Sequence, residues 1–130
     1  MERNYIHTYT REQAIADGQL VDVSAAAVES GFRMPVAVTA GTWYEAIAWD
    51  EGQSGLQDET GRLWDVLTTA HHAARAKSRN REQGTQCAFT VYRIPNHPAA
   101  EEPEPLDLIL QLCPGDHSEP VLTITLPDED

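Results

Sequence analysis

The sequence predicts an α+β fold: short N-terminal helices packed on a C-terminal three-stranded antiparallel β-meander. Three observations predict it. Up to Arg81 the chain carries helix caps and apolar residues at helical spacing. From Cys87 onward the apolar pattern changes to period two. Leu106, Leu108, Leu110 and Leu112 then share one side of a strand, an apolar face that needs helices to cover it. Neither half is expected to hold a core alone. The 130 residues therefore read as one domain. Its helical part spans about 9–80, its meander about 87–126 and an acidic tail 127–130.

Thr10 and Gln13 have capping-box spacing, and Gly18 supplies a left-handed stop, so Arg11–Asp17 is a short helix. "QLVDVS" alternates and reads as a short extended piece. Ser24 is placed to cap "AAAVES", which Gly31 ends. Pro35 resists a helix interior, and the β-branched residues of "VAVT" favour extension. Thr42 and Glu45 form another capping-box pair, opening a helix with Trp43, Ala46 and Ile47 inward. Asp50–Gln57 reads as a loop.

Gln57–Arg81, "QDETGRLWDVLTTAHHAARAKSRNR", carries carboxylates, imidazoles and a basic end. On a helical wheel centred on Leu63, Val66, Leu67, Ala70 and Ala74 form one stripe. Trp64 and His71 border it, while Asp65 and His72 face solvent. Asp65 and His72 lie two turns apart, roughly 10 Å, too far for an acid–base pair. Acidic residues open the helix and basic ones close it, as the helix dipole favours. This is a core helix with a charged outside. Gly61 in its first turn predicts a start one or two residues late.

Cys87–Ile94, Leu106–Cys113 and Val121–Leu126 read as strands. Pairing residues whose numbers sum to 200 sets Ile94 against Leu106, Arg93 against Asp107 and Cys87 against Cys113. Those two cysteines are expected as thiols.

Two thirds of the net charge of −12 sits in residues 83–130, where nine acids stand against one base. Such a field repels nucleic acid and attracts basic surfaces. The displayed carboxylates Glu101, Glu102, Glu104, Asp116 and Glu119 are the candidate partner-binding residues; the ordinary alternative is a solvated acidic surface. Trp49, beside Asp50 and Glu51, is the candidate exposed anchor; Trp43 and Trp64 are assigned to the core. No nucleophile elbow, phosphate loop or H-E-x-x-H stands in the chain. No catalytic residue, metal or cofactor is therefore expected. A metal set of Cys87, His97, Cys113 and His117 is the weaker alternative, because its histidines fall at opposite ends of the hairpin. The basic run Arg75–Arg81 reads as helix-end neutralisation. No apolar stretch is long enough to span a membrane and the N-terminus has no apolar leader core, so a cytoplasmic location is expected.

"YTREQAIADGQLVDVS", "GFRMPVAVTAGTW", "DETGRLWDVL" and "EPVLTITLPDED" together resemble a family of small uncharacterised bacterial proteins, a domain of unknown function carried largely on plasmids and other mobile elements. The resemblance covers most of the chain and carries no residue roles. It implies a genetic context in which small acidic proteins inhibit host defence. The expected function is thus a non-enzymatic, protein-binding inhibitor of the anti-CRISPR or antirestriction type. Its acidic, nucleic-acid-mimicking surface would meet a basic host protein or nucleoprotein complex: a CRISPR effector subunit or a restriction nuclease. The alternatives are a plasmid-housekeeping adaptor and a small metalloprotein or enzyme.

Overall fold

A computed structural model describes residues 9–50 and 57–129. Helix α1 spans Arg11–Ala16 and strand β1 Leu20–Asp22; α2 follows at Ser24–Glu29 and β2 at Val36–Thr39. Helix α3, Ala40–Thr42, runs into a π-helical turn at Trp43–Ile47. The long helix α4 spans Glu59–Arg79. Strands β3 (Gln86–Arg93), β4 (Glu104–Pro114) and β5 (Pro120–Thr125) precede a 3₁₀ turn at Pro127–Glu129.

The fold is α+β, as expected, but its sheet is mixed and has five strands in the order β1-β2-β5-β4-β3. The expected three-stranded meander is its β3-β4-β5 part. The N-terminal half adds a β1–β2 hairpin, and β2 joins β5 in parallel. "VAVT" is the reason: a fully apolar, β-branched run suits a strand buried on both faces better than a free extended segment. Val36, Ala37 and Val38 are all buried.

The hairpin register also differs. Opposed residues sum to 197: Phe89 faces Leu108, Val91 faces Leu106 and Arg93 faces Glu104. Period-two geometry explains the shift. The apolar face of β3 is Cys87, Phe89 and Val91, and only an odd shift sets it beside the leucine face of β4. Cys87 therefore opposes Leu110, and Cys113 opposes Val121, so the expected cysteine pair and the Arg93–Asp107 pair do not form. Both cysteines are free thiols.

One sheet row runs Val21, Val38, Ile124, Leu110, Cys87, and all five belong to or pack on the core. Helices α2 and α4 cover this face with Ala27, Val66, Leu67 and Ala70. The next row, Asp22, Ala37, Thr123, Gln111, Gln86, lies on the other face. There α1 crosses the sheet, and Arg11 donates to Thr123 Oγ1 and to the Leu122 carbonyl, each at 2.8 Å.

The caps refine the expected boundaries. Thr10 and Gln13 form the reciprocal box at α1. Val23, not Ser24, is the N-cap of α2; Ser24 Oγ instead donates to Asp22 and accepts the Val36 N–H, tying β1 to β2. Thr39, not Thr42, caps α3. Thr42 is buried in the turn, where its hydroxyl donates to the Ile124 carbonyl. Helix α4 begins at Glu59 without delay, because Asp58 accepts the Gly61 N–H at 2.6 Å. A Cβ at Gly61 would stand 3.1 Å from that carboxylate, so the glycine assists the cap. Among the described residues, no helix is long and apolar enough to cross a membrane.

Candidate functional site

The tryptophans exchange the roles expected of them. Trp49 is 7% exposed and is no surface anchor, whereas Trp64 is 49% exposed. Trp49 is held under Arg62, whose guanidinium carbon lies 5.0 Å from the indole centroid. Arg62 is itself 2% exposed. Its Nε donates to the Ile47 carbonyl at 2.9 Å, and its Nη1 donates to the Ile94 carbonyl and to Gln57 Oε1, each at 2.6 Å. Burial, then repulsion from Arg93, lowers its pKa from the usual arginine value, and Glu59 opposes the shift. The cation thus ties α4, the π turn and the end of β3 together. Sequence reasoning passed over it, although the wheel places Arg62 only about 40° beyond Val66.

Arg93 stands beside Arg62 at the end of β3. Its Nε donates to the Glu45 carbonyl at 2.9 Å and its Nη1 to the Glu104 carbonyl at 3.2 Å. Its Nη2 pairs with Glu45 Oε1 at 3.8 Å. This arrangement fixes two acidic residues at one end of the sheet. There Glu45, Asp107 and Asp128 line an open cleft of about 440 Å³ with Leu106, Leu126 and Pro127. Thr90 Oγ1 holds Asp107 by a 2.7 Å hydrogen bond. Glu129 anchors the opposite wall, accepting from Thr39 Oγ1 at 2.6 Å and from the Leu126 N–H at 2.9 Å. A second groove of about 380 Å³ continues from Asp107 and Pro127 along Ala88, Thr90 and Ile109.

The five expected acidic residues separate into two groups. Glu101, Glu102 and Glu104 are exposed near this cleft, at the start of β4. Asp116 and Glu119 lie beyond its other end, roughly 30 Å away along eleven residues of strand. Those two have work within the fold. Asp116 accepts the Arg11 N–H at 2.7 Å and the Glu12 N–H at 3.0 Å, pinning the start of α1. These hydrogen bonds, Arg11's first, hold its carboxyl below the usual aspartate range. Glu119 accepts the His117 N–H at 2.8 Å and closes over Gly115.

The candidate metal set does not assemble. Cys87 is on the helix-covered face of β3 and Cys113 on the other face of β4, with His97 and His117 in separate loops. Among the described residues, no group of three metal-ligating side chains converges. Burial raises the Cys87 pKa, which disfavours its thiolate. His71 sets its ring edge-on to Phe32, with centroids 5.1 Å apart, and His72 is exposed.

No curated protein and no solved structure matches the chain. The profile of DUF6573, a family of unknown function, matches residues 2–130, and the chain belongs to that family.

Proposed function

We propose that this DUF6573 member is a non-enzymatic binding protein whose acidic end receives a basic segment of a host protein or nucleoprotein complex. One observation carries the reading: the cleft joins three carboxylates, Glu45, Asp107 and Asp128, to an apolar floor of Leu106 and Leu126. An arginine or lysine entering it would lay its aliphatic stem on the leucines and its charge among the carboxylates. Glu101, Glu102 and Glu104 extend the same field outward. Carriage on mobile elements, which the resemblance implies, makes a CRISPR effector subunit or a restriction nuclease the partner to test, with stoichiometric inhibition as the outcome. Asp116 and Glu119 are given to the fold, and Trp49 is withdrawn as an anchor.

The test is retention of a host nuclease or effector subunit at ~0.1 M salt and its release at ~0.5 M, where exposed charge pairs are screened. A variant carrying Glu101→Gln, Glu102→Gln, Glu104→Gln and Asp128→Asn should fold and lose the partner. A folded variant that keeps it ends the acidic-surface reading. The adaptor reading rests on the exposed Trp64 and Tyr44; it requires binding that survives high salt and fails in Trp64→Ala.

A further inference from the structure

The outer edge of β3 carries a second, chemically different recognition element. Among the described residues, strand β3 ends the sheet and pairs on one side only, with β4. The Leu112 N–H donates to the Thr85 carbonyl at 2.8 Å, which fixes the ladder phase. Residues opposed to the even leucines, namely Cys87, Phe89 and Val91, turn their main-chain groups toward β4. Gln86, Ala88, Thr90 and Tyr92 therefore turn their N–H and carbonyl groups outward. The register is unbroken over eight pairs, so no bulge interrupts the edge. None of these four residues is charged and none is proline. Proteins ordinarily blunt a free edge with lysine, proline or a bulge. In a chain of net charge −12, this edge has none of them.

We propose that this edge binds, by strand addition, an extended segment of a partner protein that is basic at the end lying beside Arg93. A row of outward N–H and C=O groups selects an extended backbone. A second copy of the chain does not fit on the same edge. Helix α4 lies under β3 rather than under β4 and buries Phe89 and Val91 to 7% and 4% exposure. Two β3 strands paired across a two-fold axis would stand roughly 5 Å apart and crowd the α4 helices that pack under them, since packed helices need roughly 8–10 Å. A lone strand meets no such obstacle. Arg62, on one flank of α4, reaches Ile94 at the end of β3, while His71, on the other flank, faces Gly31 and Phe32 just past α2. Thr69, Ala73 and Ala76 share Arg62's flank, and their small side chains leave room for those of an added strand. Charge sets the partner's chemistry at one end: the strand's end at Arg93 adjoins Glu104, Glu45 and the acidic cleft, whereas its start at Gln86 follows Lys77, Arg79 and Arg81.

This inference deepens the acidic-end reading by naming how the same partner docks, and the two fail separately. The probes are the synthetic peptides Lys-Lys-(Thr-Val)₃ and (Thr-Val)₃-Lys-Lys, at millimolar concentration, with amide hydrogen exchange read residue by residue by NMR. The Ala88, Thr90 and Tyr92 amides should slow at least tenfold. Versions N-methylated throughout the Thr-Val repeat should leave them unchanged, and so should the peptides added to a folded Ala88→Pro variant. Protection that persists when serines replace the lysines supports the edge and removes the charge argument. Shifts confined to Glu45, Asp107 and Asp128, with unaltered edge exchange, overturn strand addition and leave the acidic cleft standing. Edge amides already protected in a dimer of the free protein also overturn it, because a second copy then occupies the site.

Discussion

Replacing Arg62 by alanine tests whether the buried cation, rather than any exposed charge, holds the helical half to the sheet. The side chain satisfies the Ile47 and Ile94 carbonyls and Gln57, and it covers Trp49. Each buried carbonyl left without a donor costs about 1–3 kcal/mol. Part of that returns if water enters the space vacated. The indole also loses a cation–π contact of about 1–2 kcal/mol in a desolvated setting. A loss of about 3–5 kcal/mol follows, in the range seen when one member of a buried charged network is removed. With an unfolding entropy of about 2.1 cal/mol/K per residue, 1 kcal/mol corresponds to about 4 °C for a chain of this size. Arg62→Ala should therefore melt about 11–18 °C lower by circular dichroism, with Trp49 emission shifted to the red. Arg62→Lys should recover little, since one ammonium cannot reproduce the guanidinium fork that reaches both the Ile47 and the Ile94 carbonyl. An Arg62→Ala variant within about 1 kcal/mol of the parent in urea titration would refute this account of the core.

Three further outcomes follow from particular contacts. Trp49→Ala should cost about 3–5 kcal/mol, as large aromatic truncations in a core do, while Trp64→Ala should stay within about 1 kcal/mol; acrylamide should quench Trp64 strongly and Trp49 weakly. Gly31 has φ +104° and a Cβ there would meet His71 Cε1 at 2.9 Å, so Gly31→Ala should cost about 1–3 kcal/mol. Adding His71→Ala should restore only the steric share, as a double-mutant cycle in thermal melts would show. Asp116 has a depressed folded-state pKa because two α1 N–H groups bind its ionised form. Its stabilisation is complete above the unfolded aspartate pKa and is lost as pH falls through the folded value. The Tm gap between the parent and Asp116→Asn should thus be flat from about pH 7 to 5 and should close below about pH 4; a gap that widens in acid would contradict the assignment.

Much of the architecture was legible because local signals agreed with it. The Thr10–Gln13 box, the Pro35 break, the α4 stripe and the period-two runs all appear where the sequence places them. The misreadings share one physical cause: information carried by long-range partners. "VAVT" shows β propensity, but nothing local says that β5 lies beside it in parallel. The odd hairpin register follows from the apolar parity of Cys87, Phe89 and Val91, a pattern that was present and outweighed by two attractive cross-strand pairs. Trp49 was assigned to solvent from its acidic neighbours, yet its burial depends on Arg62, thirteen residues later. The candidate cleft was barely legible: the sequence marked Glu101, Glu102 and Glu104, which stand beside it, whereas Glu45 and Asp128 line it only through the folding of the π turn and the C-terminal 3₁₀ turn against β4.

The acidity of the chain is therefore not one property. Asp58 caps α4, Asp116 pins α1, Glu119 closes the β4–β5 turn and Glu129 fastens the C-terminal turn to Thr39. Asp22 holds Ser24, and Glu59 accepts the Trp49 N–H. Each of these carboxylates accepts a hydrogen bond at a chain reversal, a helix start or a tertiary contact, where an anionic acceptor is favoured whatever the protein binds. Subtracting them removes much of the apparent symmetry between the two ends of the sheet. What remains concentrated is Glu101, Glu102, Glu104 and Asp128, exposed beside Glu45 and Asp107. Like charges gathered at one end repel one another. They stand at the end of the sheet where the open cleft and the outer edge of β3 meet, which is why the salt and charge-neutralisation tests are aimed there.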